Sequence, residues 1–197
     1  MSPILKNKNG FTLIELVVTI GVIAILAIIA TPLINKTLPN YRLKSTARDL
    51  YSMFRLARVE AVKRNLNVVI VIDPEVYSPD GMAGSYHVFV DDGAGGGNAE
   101  NFKCENPDGY DPSSSGTEEI IANVSMPKKV SLFNTNFAGT PQSIAFNNRG
   151  LPLKDSNLPL NDEHVLLRNT NRWYKITVSS AGHIKLEISS DGTNFSL

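Results

Sequence analysis

Residues 6–31 read KNKNGFTLIELVVTIGVIAILAIIAT, and this stretch decides the class of the chain. From Phe11 to Thr31 it is almost wholly apolar, and as a helix it would span roughly 30 Å, the thickness of a bilayer core. The run therefore predicts a membrane helix. The alternative, a buried helix of a soluble protein, fits poorly with hydrophobicity on all sides over this length at the N-terminus.

A short basic leader precedes the apolar run. It comprises residues 1–10, MSPILKNKNG, and ends at Gly10, where the missing side chain lets a protease reach the backbone. A conventional secretory signal has small residues at alternate positions after its apolar region. Here the small residues are alanines spaced by three, and no A-x-A site follows. We therefore expect the apolar segment to stay on the mature protein.

The junction between leader and helix carries a specific motif. KNKNGFTLIEL resembles the class III signal of type IV prepilins and pseudopilins. In that family, prepilin peptidase cuts between the positions that match Gly10 and Phe11, and it methylates the new amine of Phe11. The resemblance implies three partners, namely prepilin peptidase, the inner membrane and other pilin or pseudopilin subunits. It implies no catalytic residue, no metal and no cofactor.

Glu15 is the one charged residue of the apolar run. An ionised carboxylate in hydrocarbon costs on the order of 3 kcal/mol on insertion scales, so it needs a partner. The family implies that the cationic amine of Phe11 in a neighbouring subunit pairs with Glu15 and sets the register between helices. The alternative is a carboxylate that lies at headgroup depth.

Charge does not decide how the helix is oriented. The leader carries two lysines and the original amine, but Lys36, Arg42, Lys44 and Arg48 follow the helix on its other side. The expected topology, a cytoplasmic leader and a single-pass inner-membrane helix with a periplasmic globular domain, rests on the resemblance alone.

Composition bounds the rest of the chain. Its 197 residues, 42% hydrophobic and 19% charged, suffice for one globular domain with an appendage. The formal net charge is zero, which argues against a dedicated nucleic-acid binder. Charge is nevertheless uneven: residues 36–64 hold eight basic residues against two acidic ones, and residues 73–119 hold eleven acidic residues against Lys103. Opposed patches of this kind suit contacts between subunits, or are simply solvated faces.

A second helical pattern follows the membrane segment. Pro32 and Pro39 predict a kink or a locally extended stretch. After them an apolar stripe recurs every three or four residues and predicts a helix face that packs on a sheet, with members Leu43, Ala47, Leu50, Phe54, Ala57 and Ala61. Lys44, Arg48 and Arg55 fall on other faces.

Short strand patterns fill the chain beyond Asn67. The predicted strands are residues 68–72, 86–90, 119–124, 129–133, 143–146, 164–168, 173–178 and 183–188. The last two predict a hairpin that turns at Gly182. The predicted fold class is α+β, with a long N-terminal helix packed on antiparallel β-sheets, as in pilins. The order of elements resembles the GspH/FimT group of minor pilins and type II secretion pseudopilins.

The sequence gives weaker support for several other chemistries. Residues 91–116 predict a surface loop. Calcium could bind to its aspartates, which are Asp91, Asp92, Asp108 and Asp111. Their spacing does not match that of an EF-hand. Its glycines lack the order of a phosphate loop. Cys104, the single cysteine, predicts no internal disulfide. The histidines His87, His164 and His183 match no catalytic motif, so a membrane-anchored enzyme is the weakest alternative.

DNA binding is a further alternative, and it concerns the last hairpin. Some FimT-like minor pilins bind DNA for uptake through a C-terminal G-R-x-R motif, and the stretch that resembles it here is Gly182, His183, Ile184 and Lys185. Both arginines are replaced. Because a mostly neutral histidine and a lysine without a bidentate fork bind phosphate less well, we expect any DNA binding by His183 and Lys185 to be weak.

The sequence as a whole predicts a noncatalytic minor pilin or pseudopilin of a type IV pilus or a type II secretion pseudopilus. Four segments are expected: a leader at 1–10, a transmembrane and filament-core helix at 11–31, an amphipathic helix at 32–66 and an antiparallel β domain at 67–197. The pattern does not separate the pilus from the secretion pseudopilus, nor does it place the subunit within the filament.

Overall fold

One helix and ten strands make up the part of the chain that the computed structural model describes, which is residues 11–78, 83–92, 118–137, 139, 142–154, 158–159 and 163–196. A boundary after Leu38 divides the chain into two units. The first unit contains the apolar N-terminal run, and the second, from Pro39 onward, contains all the strands.

The helix, α1, extends from Leu13 to Arg64. It continues through Pro32 and Pro39, so the extended stretch that the sequence predicted as one option there is absent. The proline ring fixes φ near −65°, which is compatible with a helix. Each proline removes one backbone donor, and the other hydrogen bonds of α1 keep the helix continuous. After Arg64, Asn65 takes a left-handed φ of 58°, and the Leu66 amide donates to the Ala61 carbonyl at 3.3 Å. This is a common way for a helix to end.

The predicted apolar stripe of the second unit is confirmed. All six of its members are fully buried, namely Leu43, Ala47, Leu50, Phe54, Ala57 and Ala61. They share one hydrophobic core with strands of both sheets. Lys44, Arg48 and Arg55 are exposed, as the same periodicity predicted.

Two antiparallel sheets complete the second unit. The first is six-stranded, in the order β3-β2-β1-β5-β6-β7, and the second is four-stranded, in the order β10-β9-β8-β4. The strands are β1 Asn67–Asp73, β2 Ser85–Asp91, β3 Ile120–Ser125, β4 Ser131–Thr135, β5 Gln142–Phe146, β6 Pro152–Lys154, β7 Leu158–Pro159, β8 Glu163–Arg168, β9 Trp173–Val178 and β10 Ile184–Ser189. The α+β class, with a helix packed on antiparallel sheets, is thereby confirmed.

Eight strands coincide with those predicted, and the differences have local causes. β4 begins two residues later than expected because Val130 donates to the Pro127 carbonyl at 3.0 Å and Lys129 takes a φ of 69°, which together form a turn. β6 and β7 were not predicted. They are three and two residues long and each contains a proline, so neither shows a period of two.

The predicted hairpin of β9 and β10 is confirmed. Val178 pairs with Ile184, and the turn between them is closed by two backbone bonds to Ser179. The Gly182 amide donates to the Ser179 carbonyl at 2.8 Å, and Ser179 donates to the His183 carbonyl at 2.9 Å. Gly182 has a φ of 78°, a conformation that glycine adopts without strain.

Candidate functional site

The N-terminal part of α1 exposes an apolar surface along its whole length. From Leu13 to Ala30 the helix is long and apolar enough to cross a membrane, and none of this span is buried by the rest of the described chain. Thirteen large apolar side chains between Phe11 and Ile29 are each more than half exposed. A core helix of a soluble domain would instead be mostly buried.

Thr12 fixes where this helix begins. Its hydroxyl oxygen accepts a hydrogen bond from the Glu15 amide at 3.3 Å, and its carbonyl accepts one from the Leu16 amide at 3.2 Å. This is the N-cap pattern of a T-x-x-E sequence. Phe11 consequently lies just outside the helix, with its side chain 84% exposed, and Glu15 lies in the first turn.

Glu15 can act in two ways in this position. A carboxylate in the first turn interacts favourably with the partial positive charge of the helix N-terminus. It also lies four residues from Phe11, whose amine is the positive charge that leader cleavage would create. Gly10 lies outside the described residues, so the cleavage site stays a prediction on the leader side.

The three histidines lie on separate elements. His87 is in β2 of the first sheet, His164 is in β8 of the second, and His183 is in the turn before β10. Burial lowers the pKa of His87, although Asp73 opposes the change. Burial and then the charge of Lys175 lower the pKa of His164. Over the described ranges, no three His, Cys, Asp or Glu side chains are grouped so that they could hold a metal.

The acidic loop is described only at its ends. Asp91 is fully buried at the end of β2 and Asp92 is exposed. Asp108 and Asp111 lie outside the described residues, as do Cys104 and the glycines at 93 and 95–97. Calcium binding by this loop stays a prediction.

His183 and Lys185, the predicted weak DNA contacts, have different surroundings. The His183 amide donates to the Ser179 hydroxyl at 3.1 Å, and its exposed side chain lines a groove beside α1. Lys185 extends from β10 and pairs with Glu187 at 2.8 Å. The positive charge of Lys185 is thus partly neutralised by Glu187, and DNA binding by His183 and Lys185 stays a prediction.

Sequence reasoning missed the helix side of that groove. Arg58 donates to the Gly182 carbonyl at 2.9 Å, and Val59 and Val62 lie beside it with their side chains more than half exposed. A signal was present, because valines three apart between basic residues form a second, narrower apolar stripe. The sequence prediction did not use this signal, because the buried stripe alone was enough to predict the helix.

Two family models match the sequence. One, described as type II transport protein GspH, matches residues 46–182, more than half of the chain. The chain belongs to the GspH family. The other, the prokaryotic N-terminal methylation motif, matches residues 5–31 and so includes Gly10, Phe11 and Glu15. The predicted membership of this pilin and pseudopilin family is confirmed.

Two individual proteins are similar to this GspH-family chain. Pilin-like protein PilA1 of Thermus thermophilus is 27% identical over 182 residues, which cover 92% of this chain and 99% of that protein. The crystal structure of type IV minor pilin FimU of Pseudomonas aeruginosa has a TM-score of 0.46 and 16% identity, and the match covers 81% of this chain and 96% of FimU.

Proposed function

We propose that this protein is a noncatalytic filament subunit that acts after its leader is removed. Prepilin peptidase cuts between Gly10 and Phe11 and methylates the Phe11 amine. Before assembly the subunit stays inserted in the inner membrane, with its second unit in the periplasm, and it then joins other pilins or pseudopilins. The filament is a type IV pilus or a type II secretion pseudopilus. Support comes from the family and from the methylation motif at residues 5–31.

The exposed apolar helix is the observation that carries this proposal. Burial of a large apolar side chain contributes about 1.5–3 kcal/mol, so thirteen such side chains represent on the order of 20 kcal/mol. No such surface stays in water. Lipid covers it before assembly, and the matching helices of neighbouring subunits cover it in a filament, where packing and small residues such as Gly21 bring helices together.

Glu15 gives the assembly its register. In the filament the carboxylate pairs with the Phe11 amine of a neighbouring subunit, so that both charges are neutralised away from water. A helix shifted along its neighbour would leave both charges unpaired in an apolar medium, which disfavours every register but one.

The first experiment locates the N-terminus of the protein purified from its native membrane. We expect N-terminal sequencing to begin at Phe11 and mass spectrometry to show one added methyl group on that residue. A chain that begins at Met1, or one cut after Pro32, would exclude the proposal.

The second experiment separates assembly from local capping. Glu15→Leu should insert and be cleaved normally but give far fewer filaments, measured by sedimentation and immunoblot. Thr12→Ala is the matched control, because it removes the helix cap, worth about 1 kcal/mol, and keeps the carboxylate. Normal assembly of Glu15→Leu would refute the register role, and equal loss in both variants would assign the effect of Glu15 to capping instead.

The type of filament and the two weaker functions stay predictions. Neighbouring genes for a secretion ATPase, secretin and other pseudopilins would favour the secretion system, whereas retraction or competence genes would favour the pilus. Weak DNA binding by His183 and Lys185 gains no support from the surroundings of Lys185. A membrane-anchored enzyme gains none from the described positions of the histidines.

A further inference from the structure

An open groove lies between the C-terminal half of α1 and the turn from β9 to β10. Its volume is about 790 Å³, which is within the range of clefts that bind ligands or peptide side chains. The residues that matter for its chemistry are Arg55, Arg58, Val59, Val62, Lys63 and Ile184. All of them belong to the second unit.

The floor of the groove is aliphatic. Val59 is 59% exposed and Val62 is 51% exposed, and their spacing of three places them on one face of the helix. Ile184, at the start of β10, adds a partly buried side chain from the opposite wall. The described part of the second unit thus leaves a short apolar strip uncovered, although the neighbouring stripe of the same helix is fully buried.

The walls of the groove are positively charged. No carboxylate is among its lining residues in the described part of the chain. Arg55 and Arg58 take part in none of the ion pairs found among the described residues, while Lys63 pairs with Glu60 at 3.2 Å. Arg58 is held in place by the Gly182 carbonyl at 2.9 Å, which orients the guanidinium without neutralising it.

We propose that this groove binds an acidic peptide segment that carries an aliphatic or aromatic side chain, presented by a neighbouring subunit. The apolar side chain covers Val59 and Val62, and carboxylates on either side of it meet Arg55 and Arg58. Arginine forms paired hydrogen bonds with carboxylates, and these are stronger in a cleft that excludes water. That the partner is a subunit rests on the proposed function.

The groove chemistry favours a peptide over nucleic acid. Proteins that bind single strands offer flat aromatic surfaces on which bases stack. Tyr51 is the only Phe, Tyr or Trp of the described lining, and the Arg55 guanidinium lies over one face of its ring at 5.9 Å from the ring centre. Aliphatic valines give bases no such platform, and the chain has no net charge to attract a polyanion from a distance.

The test measures peptide binding to the full chain in detergent micelles by fluorescence anisotropy, with empty micelles as the blank. The probe is a labelled peptide of about twelve residues in which Glu and Asp alternate with Leu and Phe. One comparison peptide has Gln and Asn in place of the acids, and another has Ser in place of the apolar residues. We expect the probe to bind, and we expect both comparison peptides to bind at least tenfold more weakly than the probe.

Substitutions locate the site. Arg55→Gln and Val59→Gln should each raise Kd about tenfold, because each removes a central contact from an exposed position where folding is unaffected. Arg172→Gln is the matched cationic control, since it lies at the other end of β9, and Val76→Gln is the matched apolar control at 79% exposure. Both controls should change Kd less than twofold.

The proposal is overturned if the probe does not bind at millimolar concentration, or if the charge-free peptide binds with equal affinity. It is also overturned if Kd is unchanged in both groove variants, or if a DNA oligonucleotide binds, Arg55→Gln abolishes that binding, and the probe does not bind. Occupation by the chain's own residues 93–117 would also overturn it. In that case, a variant with a Gly-Ser linker at residues 98–112 would gain tenfold or more in affinity.

Failure here is distinguishable from failure of the proposed function. If the chain is not a filament subunit, the N-terminus will not begin at Phe11, and neither the native chain nor Glu15→Leu will sediment as filaments. If only the groove proposal fails, those two results stand and the peptide measurements alone are negative.

Discussion

The replacement of Gly192 by alanine tests how tightly the side chains pack around Trp173 on the outer face of the second sheet. Gly192 follows β10 and has a φ of 80°, and a Cβ at this position would lie 2.8 Å from Cε2 of Trp173. Trp173 has little freedom to move away. The Arg168 guanidinium lies 4.3 Å from its ring centre, and Phe133 packs edge-on at 5.2 Å between ring centres.

Two costs add for Gly192→Ala. A left-handed backbone costs a residue with a Cβ about 1–2 kcal/mol. Forcing a methyl group against a packed ring costs about 1–3 kcal/mol more. We therefore expect the free energy of unfolding to fall by about 3 kcal/mol, which lowers the melting temperature by roughly 6–12 °C for a chain of this size.

The assay is thermal and urea unfolding of the full chain in micelles, followed by circular dichroism. A double-mutant cycle isolates the steric part, because Trp173→Phe leaves room for the new methyl group. The double variant should recover at least about 1 kcal/mol relative to the sum of the single changes. Strictly additive effects, or a loss of less than about 0.5 kcal/mol in Gly192→Ala, would refute the reasoning.

Two further predictions concern the core and its pH response. Phe54→Ala should lower the free energy of unfolding by about 3–5 kcal/mol, because Phe54 is fully buried and its ring centre lies 6.1 Å from that of Phe137. Leu56→Ala is the control: Leu56 is 38% exposed, so its replacement should lower the free energy of unfolding by less than about 1 kcal/mol in the same urea titration. Burial lowers the pKa of His87 below the ordinary histidine value of about 6.5, so the unfolded chain takes up this proton first as the pH falls. The neutral imidazole therefore contributes its full stability above about pH 6.5, and this contribution is lost as the pH falls below that value. His87→Gln should lose less stability between pH 7 and pH 5 than the native chain does. Equal pH dependence of the free energy of unfolding in the two proteins would contradict this.

The periodicities of the sequence predicted most of the fold because they reflect burial directly. Leu50 and Phe54 recur at helical spacing since one helix face is covered, and Tyr174, Ile176 and Val178 alternate since one face of β9 is covered. The N-terminal methylation motif could be predicted for another reason: its residues are contiguous in the chain, so recognising it requires no knowledge of the fold.

The differences have equally local causes. At Pro32 and Pro39 the helix continues where an extended stretch was one of two predicted options, and the other option, a kink at these prolines, stays a prediction. β6 and β7 are too short to show a pattern and exist through pairing, as where Ala145 pairs with Leu153. The groove could not be predicted, because Val59 and Gly182 become neighbours only when α1 and the last hairpin meet.

The hydrogen bond between Arg58 and the Gly182 carbonyl joins positions 124 residues apart. A chain that stops before β9 keeps the apolar helix, but it has only one wall of the groove. Synthesis must therefore be nearly complete before the groove exists. If the groove binds a neighbouring subunit as proposed, a growing filament can accept finished copies and reject truncated ones, although both carry the same apolar helix.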